Sequence, residues 1–114
     1  MSRNYSTLAY EATGVGANGK LFVAGNPHHT IQVDFTNTGG SVTALTVDLE
    51  GNLTGNDNYF AQYGTHAFTA GELTAKSAIF HITNRPAGCI RSNITTLTAT
   101  GTTKINVYYL EGRG

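Results

Sequence analysis

Strict alternation of apolar and polar residues constrains this chain more than any other feature. Three stretches carry it: Ile31-Gln32-Val33-Asp34-Phe35, Leu45-Thr46-Val47-Asp48-Leu49 and Ile105-Asn106-Val107-Tyr108-Tyr109-Leu110. Side chains of a strand point alternately to its two faces, so each stretch sends one set into a core and the other toward water or a partner. The rest of the chain is dominated by Gly, Thr, Asn and Ser, the residues of turns and of polar sheet faces. No helical period persists beyond a turn or two. Turn signals recur about every eight to twelve residues, which predicts an all-β fold: an antiparallel β-sandwich, jelly-roll-like, of about eight short strands.

Strands are expected at Lys20–Val23, Thr30–Thr36, Val42–Glu50, Thr65–Thr69, Ala78–Thr83, Cys89–Thr96 and Lys104–Leu110. Asn37-Thr38-Gly39-Gly40 reads as a turn, so the strands on either side of it are expected to pair as an antiparallel hairpin. Gly51–Asn58 is a polar loop, and Tyr59–Tyr63 suits either a strand or one helical turn. Ala70-Gly71-Glu72 reads as a turn, and Arg85-Pro86-Ala87-Gly88 breaks the ladder because proline has no N–H to donate. Residues 1–19 are weakly patterned and read as a flexible N-terminal arm or an edge element, with residues 20–114 as the sandwich domain.

At 114 residues one domain is the natural count. Charged residues make up 12% and the formal net charge is zero. A surface so short of charge is covered by hydroxyls and amides, which cost less to desolvate than unpaired ions, and this favours packing against neighbours. It offers no electrostatic footprint for nucleic acid or an anionic membrane. No apolar stretch approaches the roughly 20 residues of a spanning helix, and the first residues lack the apolar core of a signal peptide. Cys89 is the single cysteine, so an internal disulfide is excluded and synthesis in a reducing cytoplasm is expected.

Reactive constellations are poorly supported. His28-His29, with His66 and His81 beyond, invites a metal, but adjacent strand residues face opposite ways and the Asn26-Pro27 ahead of them suggests a solvated loop. Asp48, Glu50 and Asp57 offer oxygen ligands without the spacing of a calcium loop. Asp48 and Glu50 are neighbours on one strand face and cannot oppose each other across a glycosidase cleft. Cys89 opens an apolar strand with no activating residue beside it and reads as a buried, inert thiol. The N-x-S/T triplets at Asn4, Asn52 and Asn93 are expected by chance in so Thr-rich a chain. No enzyme, metal or cofactor is expected.

Contact residues are the better reading. Arg85 and Arg91 suit an interface, where Arg and Tyr are enriched, or a structural ion pair such as Arg91 with Asp34, Asp48 or Glu50. Tyr108 and Tyr109 point to opposite faces, so one is core and the other is free for an interface or for stacking on a sugar. Tyr59, Phe60 and Tyr63 form a second aromatic group, either core plugs or a sugar platform. Tyr5, Leu8 and Tyr10 are interface candidates on the N-terminal arm.

Val47-Asp48-Leu49-Glu50-Gly51-Asn52-Leu53-Thr54-Gly55-Asn56-Asp57-Asn58-Tyr59-Phe60, then Arg85-Pro86 and Ile90-Arg91-Ser92-Asn93-Ile94-Thr95-Thr96-Leu97, resembles small β-sandwich structural proteins of tailed bacteriophages. Those proteins carry a strand ending in Leu-Glu-Gly, a glycine-containing loop with an aromatic, an Arg-Pro break and an Arg-x-Asn-hydrophobic-Thr strand. Many have Asp-Gly followed by Trp in the loop, where this chain has Thr54-Gly55 and Tyr59-Phe60. The resemblance implies a virion component: a capsid decoration (cement) protein that clamps the major capsid protein. It implies partners that are the coat and further copies of this chain, a trimer being the natural closed symmetry. The alternative is a carbohydrate-binding or adaptor module of a tail or fibre.

In that reading each contact is weak, and the strength of the clamp comes from the number made at once, because later contacts form at high effective concentration. The resemblance implies a place on the capsid surface, with no nucleic acid and no membrane among the partners.

Overall fold

The alternating stretches become the central strands of two sheets. The computed structural model describes residues 5–112 and contains β1 (Ser6–Ala12), β2 (Gly16–Phe22), β3 (His28–Thr38), β4 (Val42–Asn52), β5 (Ala61–Ala67), β6 (Ser77–Ile82), β7 (Cys89–Ala99) and β8 (Thr102–Gly112). One four-stranded sheet has the order β1-β8-β3-β6 and the other β2-β7-β4-β5, with every neighbouring pair antiparallel. The ladders β1 with β8, β2 with β7, β3 with β6 and β4 with β5 follow a long hairpin rolled onto itself. This is the antiparallel, jelly-roll-like sandwich that the alternation predicts.

The core lies between the sheets. Along β3 the residues His29, Ile31, Val33 and Phe35 are buried, and along β8 Thr103, Ile105, Val107 and Tyr109. Ile31 pairs with Tyr109 and Phe80, and Val33 with Val107 and Ala78, so each buried row runs straight across the sheet. The opposite sheet contributes Leu45, Val47, Leu49, Ile90 and Ile94. Phe80 and Ile82 face inward, as their strand pattern requires.

The structure departs from or decides the sequence reading at several points of the fold. First, β3 and β4 do not form a hairpin; they belong to different sheets. Both sides of each are taken, β3 by β8 and β6, β4 by β7 and β5, so the chain crosses between sheets at residues 39–41. Gly39 turns there with φ +81, and a Cβ on Gly40 would meet the Thr100 carbonyl oxygen at 2.3 Å.

Second, of the two readings of residues 1–19, the segment from Ser6 onward takes that of an edge element rather than of a flexible arm. It forms β1 and the start of β2, an edge strand in each sheet. The weak pattern has a physical cause. The β1 ladder is bulged after Thr7 and again after Ala9, and Glu11 has φ 51, so period two is broken while Leu8 and Ala9 still reach the core. Third, Leu8 is 4% exposed and is therefore a core residue, not an interface one. Fourth, the expected turn at Ala70 is a short helix, α1 (Ala70–Ala75). Thr69 and Glu72 close a capping box around its first turn, and Lys76 ends it with φ 62.

Candidate functional site

One end of the sandwich is built by residues 23–27, 53–60 and 83–88, and of the residues that the sequence singles out it holds Arg85, Tyr59 and Phe60, with Tyr63 packed beside Arg85. The Val23 N–H donates to the Gly88 carbonyl at 3.0 Å, and the Gly88 N–H to the Asn52 carbonyl at 2.9 Å. The Arg85 N–H donates to the Pro27 carbonyl at 3.0 Å. These bonds tie the three connections to one another.

A buried histidine holds this end from below. His29 is not part of a solvated loop; it lies on the inward face of β3 and is fully buried. Its Nε2 is 2.7 Å from the Arg85 carbonyl oxygen and its Nδ1 is 2.5 Å from the Tyr109 hydroxyl. A carbonyl can only accept, so Nε2 carries the proton, and in the neutral ring Nδ1 accepts from the Tyr109 O–H. Burial pushes the Tyr109 phenol pKa up, with the Glu111 carboxylate adding to the rise, so the hydroxyl keeps the proton it donates. Above the histidine, the Tyr63 hydroxyl donates to the Pro86 carbonyl at 2.8 Å, and the Arg85 guanidinium stands 5.6 Å over the Tyr63 ring. Arg85 is exposed, and its backbone is fixed on both sides while its cation faces outward.

Arg91 belongs to a separate network on the outer face of the second sheet. Its Nε donates to Glu50 Oε1 at 2.7 Å, the Asn93 amide donates to Glu50 Oε2 at 3.0 Å, and its guanidinium lies 4.2 Å over the Phe60 ring. The structural ion pair is therefore formed, and Phe60 is covered by a cation. Beside it the Gln62 amide donates to Asp48 Oδ2 at 2.9 Å, while Asp48 Oδ1 is buried without a partner among the described residues. Asp57 sits apart in an exposed pair with Lys20 at 3.0 Å. The three acidic residues considered as calcium ligands are thus not assembled. Among the described residues no group of three His, Cys, Asp or Glu could hold a metal ion.

The remaining candidates scatter. His66 bonds Glu72 at 2.8 Å and stacks on Phe80, and His81 bonds the Thr30 hydroxyl at 3.1 Å. Cys89 is buried, and that burial pushes its thiol pKa up. Tyr10 and Tyr59 project into solvent.

Tyr5 and Tyr108 meet edge to face, ring centroids 5.7 Å apart at 90°. They border a groove of about 390 Å³ on the outer face of the first sheet, completed by Thr30, Gln32 and Asp34 of β3 and Leu110 of β8. Gln32 pairs with Tyr108 and Thr30 with Leu110 in the β3–β8 ladder. The sequence reading missed the β3 half of this groove. Its signal was the polar set of the first alternating stretch, since Thr30, Gln32 and Asp34 must share a face once Ile31, Val33 and Phe35 go inward.

No protein-family model and no curated protein sequence matches the chain. Solved structures share its fold. SPBc2 prophage-derived protein YomS matches with a TM-score of 0.55 at 11% identity, over 92% of this chain and 89% of that one. A chain from a picornavirus capsid, the massively expanded equine rhinitis A virus particle, matches with a TM-score of 0.52 at 8% identity, over 96% of this chain and 68% of that one. PirA matches with a TM-score of 0.51 at 10% identity, over 96% and 94%. At these identities the likeness is one of fold.

Proposed function

We propose that this protein is a structural component of a phage particle, a capsid decoration protein that clamps the coat lattice through many weak contacts. The observation that carries the reading is a set of large apolar side chains left in solvent along the two N-terminal edge strands and the adjoining loops. Tyr10 is 74% exposed, Val15 64%, Phe22 67%, Leu53 75% and Tyr59 72%. Exposed apolar surface of this kind is characteristic of interaction sites. It sits on a chain with 12% charged residues, so little charge has to be desolvated when it is covered. The likeness of fold to a prophage-derived protein and to a virus capsid chain supports the same reading. In it, copies of this chain associate as a trimer at coat three-fold positions, and Arg85, held outward by its pinned backbone, contacts the major capsid protein.

The experiment is co-sedimentation of the purified protein with empty shells of the coat protein from the same virus, alongside light scattering of the free protein. Saturable binding at a fixed number of copies per shell is expected, with binding weakened by Tyr10→Asp and Tyr59→Asp. Shells that take up no protein, or that take it up without saturation, refute the reading.

A further inference from the structure

We propose that the groove on the outer face of the first sheet is a saccharide site that takes neutral pyranose rings. A pyranose has two kinds of surface, apolar C–H faces and an edge of hydroxyls that both donate and accept. The groove offers a match to each. The Tyr108 and Tyr5 rings stand at right angles with Leu110 beside them, giving apolar walls for the C–H faces. Thr30 and Gln32 line the same groove with a hydroxyl and an amide.

The polar groups are oriented before any ligand arrives. The Gln32 amide donates to Asp34 Oδ2 at 3.1 Å and Oδ1 at 3.2 Å, and the Ser77 hydroxyl donates to Asp34 Oδ1 at 2.6 Å. The amide nitrogen is thereby fixed and the Gln32 carbonyl is set as an acceptor. Thr30, Gln32 and Asp34 sit on β3 and Tyr108 and Leu110 on β8, the inner pair of their sheet, where a site is held more rigidly than on loops.

The charges select a neutral ligand. Among the described residues that line the groove none is cationic, so an acidic sugar finds no counter-ion there. Asp34 already accepts from Gln32 and Ser77 and acts as a positioning residue for the amide rather than as a free anion for an amine. Thr30 and Asp34 are about 13 Å apart along the strand, which is longer than a single ring and suits a short oligosaccharide laid along β3. Coat binding and sugar binding use different partners, so the two readings fail separately.

The test is an amide NMR titration of the full-length protein with maltotriose, cellotriose and the fully N-acetylated chitotriose, after a screen on a printed panel of neutral and acidic glycans. A neutral glycan is expected to shift the amides of Thr30, Gln32, Tyr108 and Leu110. Tyr108→Ala and Gln32→Ala should each weaken it about tenfold, the change that one lost contact of this kind brings, while Tyr59→Ala leaves it unchanged. Both groove variants are checked for a native circular dichroism spectrum, and the two together keep the test sound if one misfolds. The proposal is overturned by silence of the groove amides toward every glycan, by shifts confined to residues 53–60, or by a preference for acidic glycans.

Discussion

Removing one oxygen atom from the core tests how the Arg85 segment is held. In Tyr109→Phe the ring stays in place but the hydroxyl that donates to His29 Nδ1 is gone. His29 is 1% exposed and Tyr109 3%, so water has no route to the vacated position. A buried acceptor left without its donor costs about 1–3 kcal/mol. For a domain of this size that lowers the melting temperature by roughly 4 °C per kcal/mol. His29→Leu removes the acceptor and frees the Arg85 carbonyl, which lies on an exposed segment where water can replace the lost N–H. The double variant should therefore be more stable than the sum of the two single losses implies, because no orphaned polar atom remains in the core. Urea unfolding followed by circular dichroism reads all four corners of the cycle. A long-range proton–nitrogen NMR spectrum of the wild type should show His29 in its Nε2–H form. An unchanged midpoint and slope for Tyr109→Phe, or an Nδ1–H ring, refutes the assignment of donor and acceptor.

Three further outcomes are expected. The Thr69 backbone N–H, and after it His66, hold the Glu72 carboxyl below its ordinary value of 4.5, so Glu72 contributes stability above that value and loses it as pH falls through the lowered folded value; acid unfolding of Glu72→Gln should lack that component of the wild-type curve. Arg91→Ala leaves the partly buried Glu50 with Asn93 alone and should cost about 1–3 kcal/mol in urea unfolding; Arg91→Lys should recover only part, since a lysine lacks the planar face that covers Phe60. Cys89 should resist a thiol reagent in the native protein and react at once in urea, because burial both blocks access and raises its pKa; rapid native labelling contradicts that placement.

Where a strand obeys period two over its whole length, its place in the fold was legible. Ile31, Val33 and Phe35, then Ile105 and Val107, are buried as alternation requires, and Phe80 and Ile82 likewise. Pairing was less legible, because alternation says which face is inward but not which strand lies alongside. Gly39-Gly40 suits a hairpin turn and a crossing between sheets equally well, and the choice rests with β7 and β8, which lie far along the chain at Cys89–Ala99 and Thr102–Gly112. The N-terminal strand was hidden by its bulges, and α1 by its length, although Thr69-Ala70-Gly71-Glu72 carries a capping-box signature. At the candidate sites an ion pair was one of two readings of Arg91, with Asp34, Asp48 and Glu50 all open as partners, and the strand register selects Glu50. The partners of Arg85 were not legible, since Pro27, His29 and Tyr63 are separated from it by up to 58 positions and only the rolled topology joins them.

The same topology explains how a nearly uncharged surface is made from seven acidic residues. Asp34 is bonded by Gln32 and Ser77, Asp48 by Gln62, Glu50 by Arg91 and Asn93, and Glu72 by His66 and Thr69. Glu111 accepts from the Ala24 and Asn26 backbone N–H groups, while Asp57 and Glu11 pair with Lys20 and Lys104. Each carboxylate thus has a partner inside the molecule, and most are satisfied on their own sheet face by an amide, a hydroxyl or an N–H. Among the described residues what remains outward is largely apolar, hydroxylic or amide, with the cations of Lys76 and Arg85 and the exposed Lys20–Asp57 and Lys104–Glu11 pairs set among it. A partner that covers such a surface has little charge to strip of water, and the energy of contact comes from area and shape rather than from ion pairs. Association of that kind varies little with salt, which separates it from the steered, charge-driven binding that a basic or acidic surface would produce.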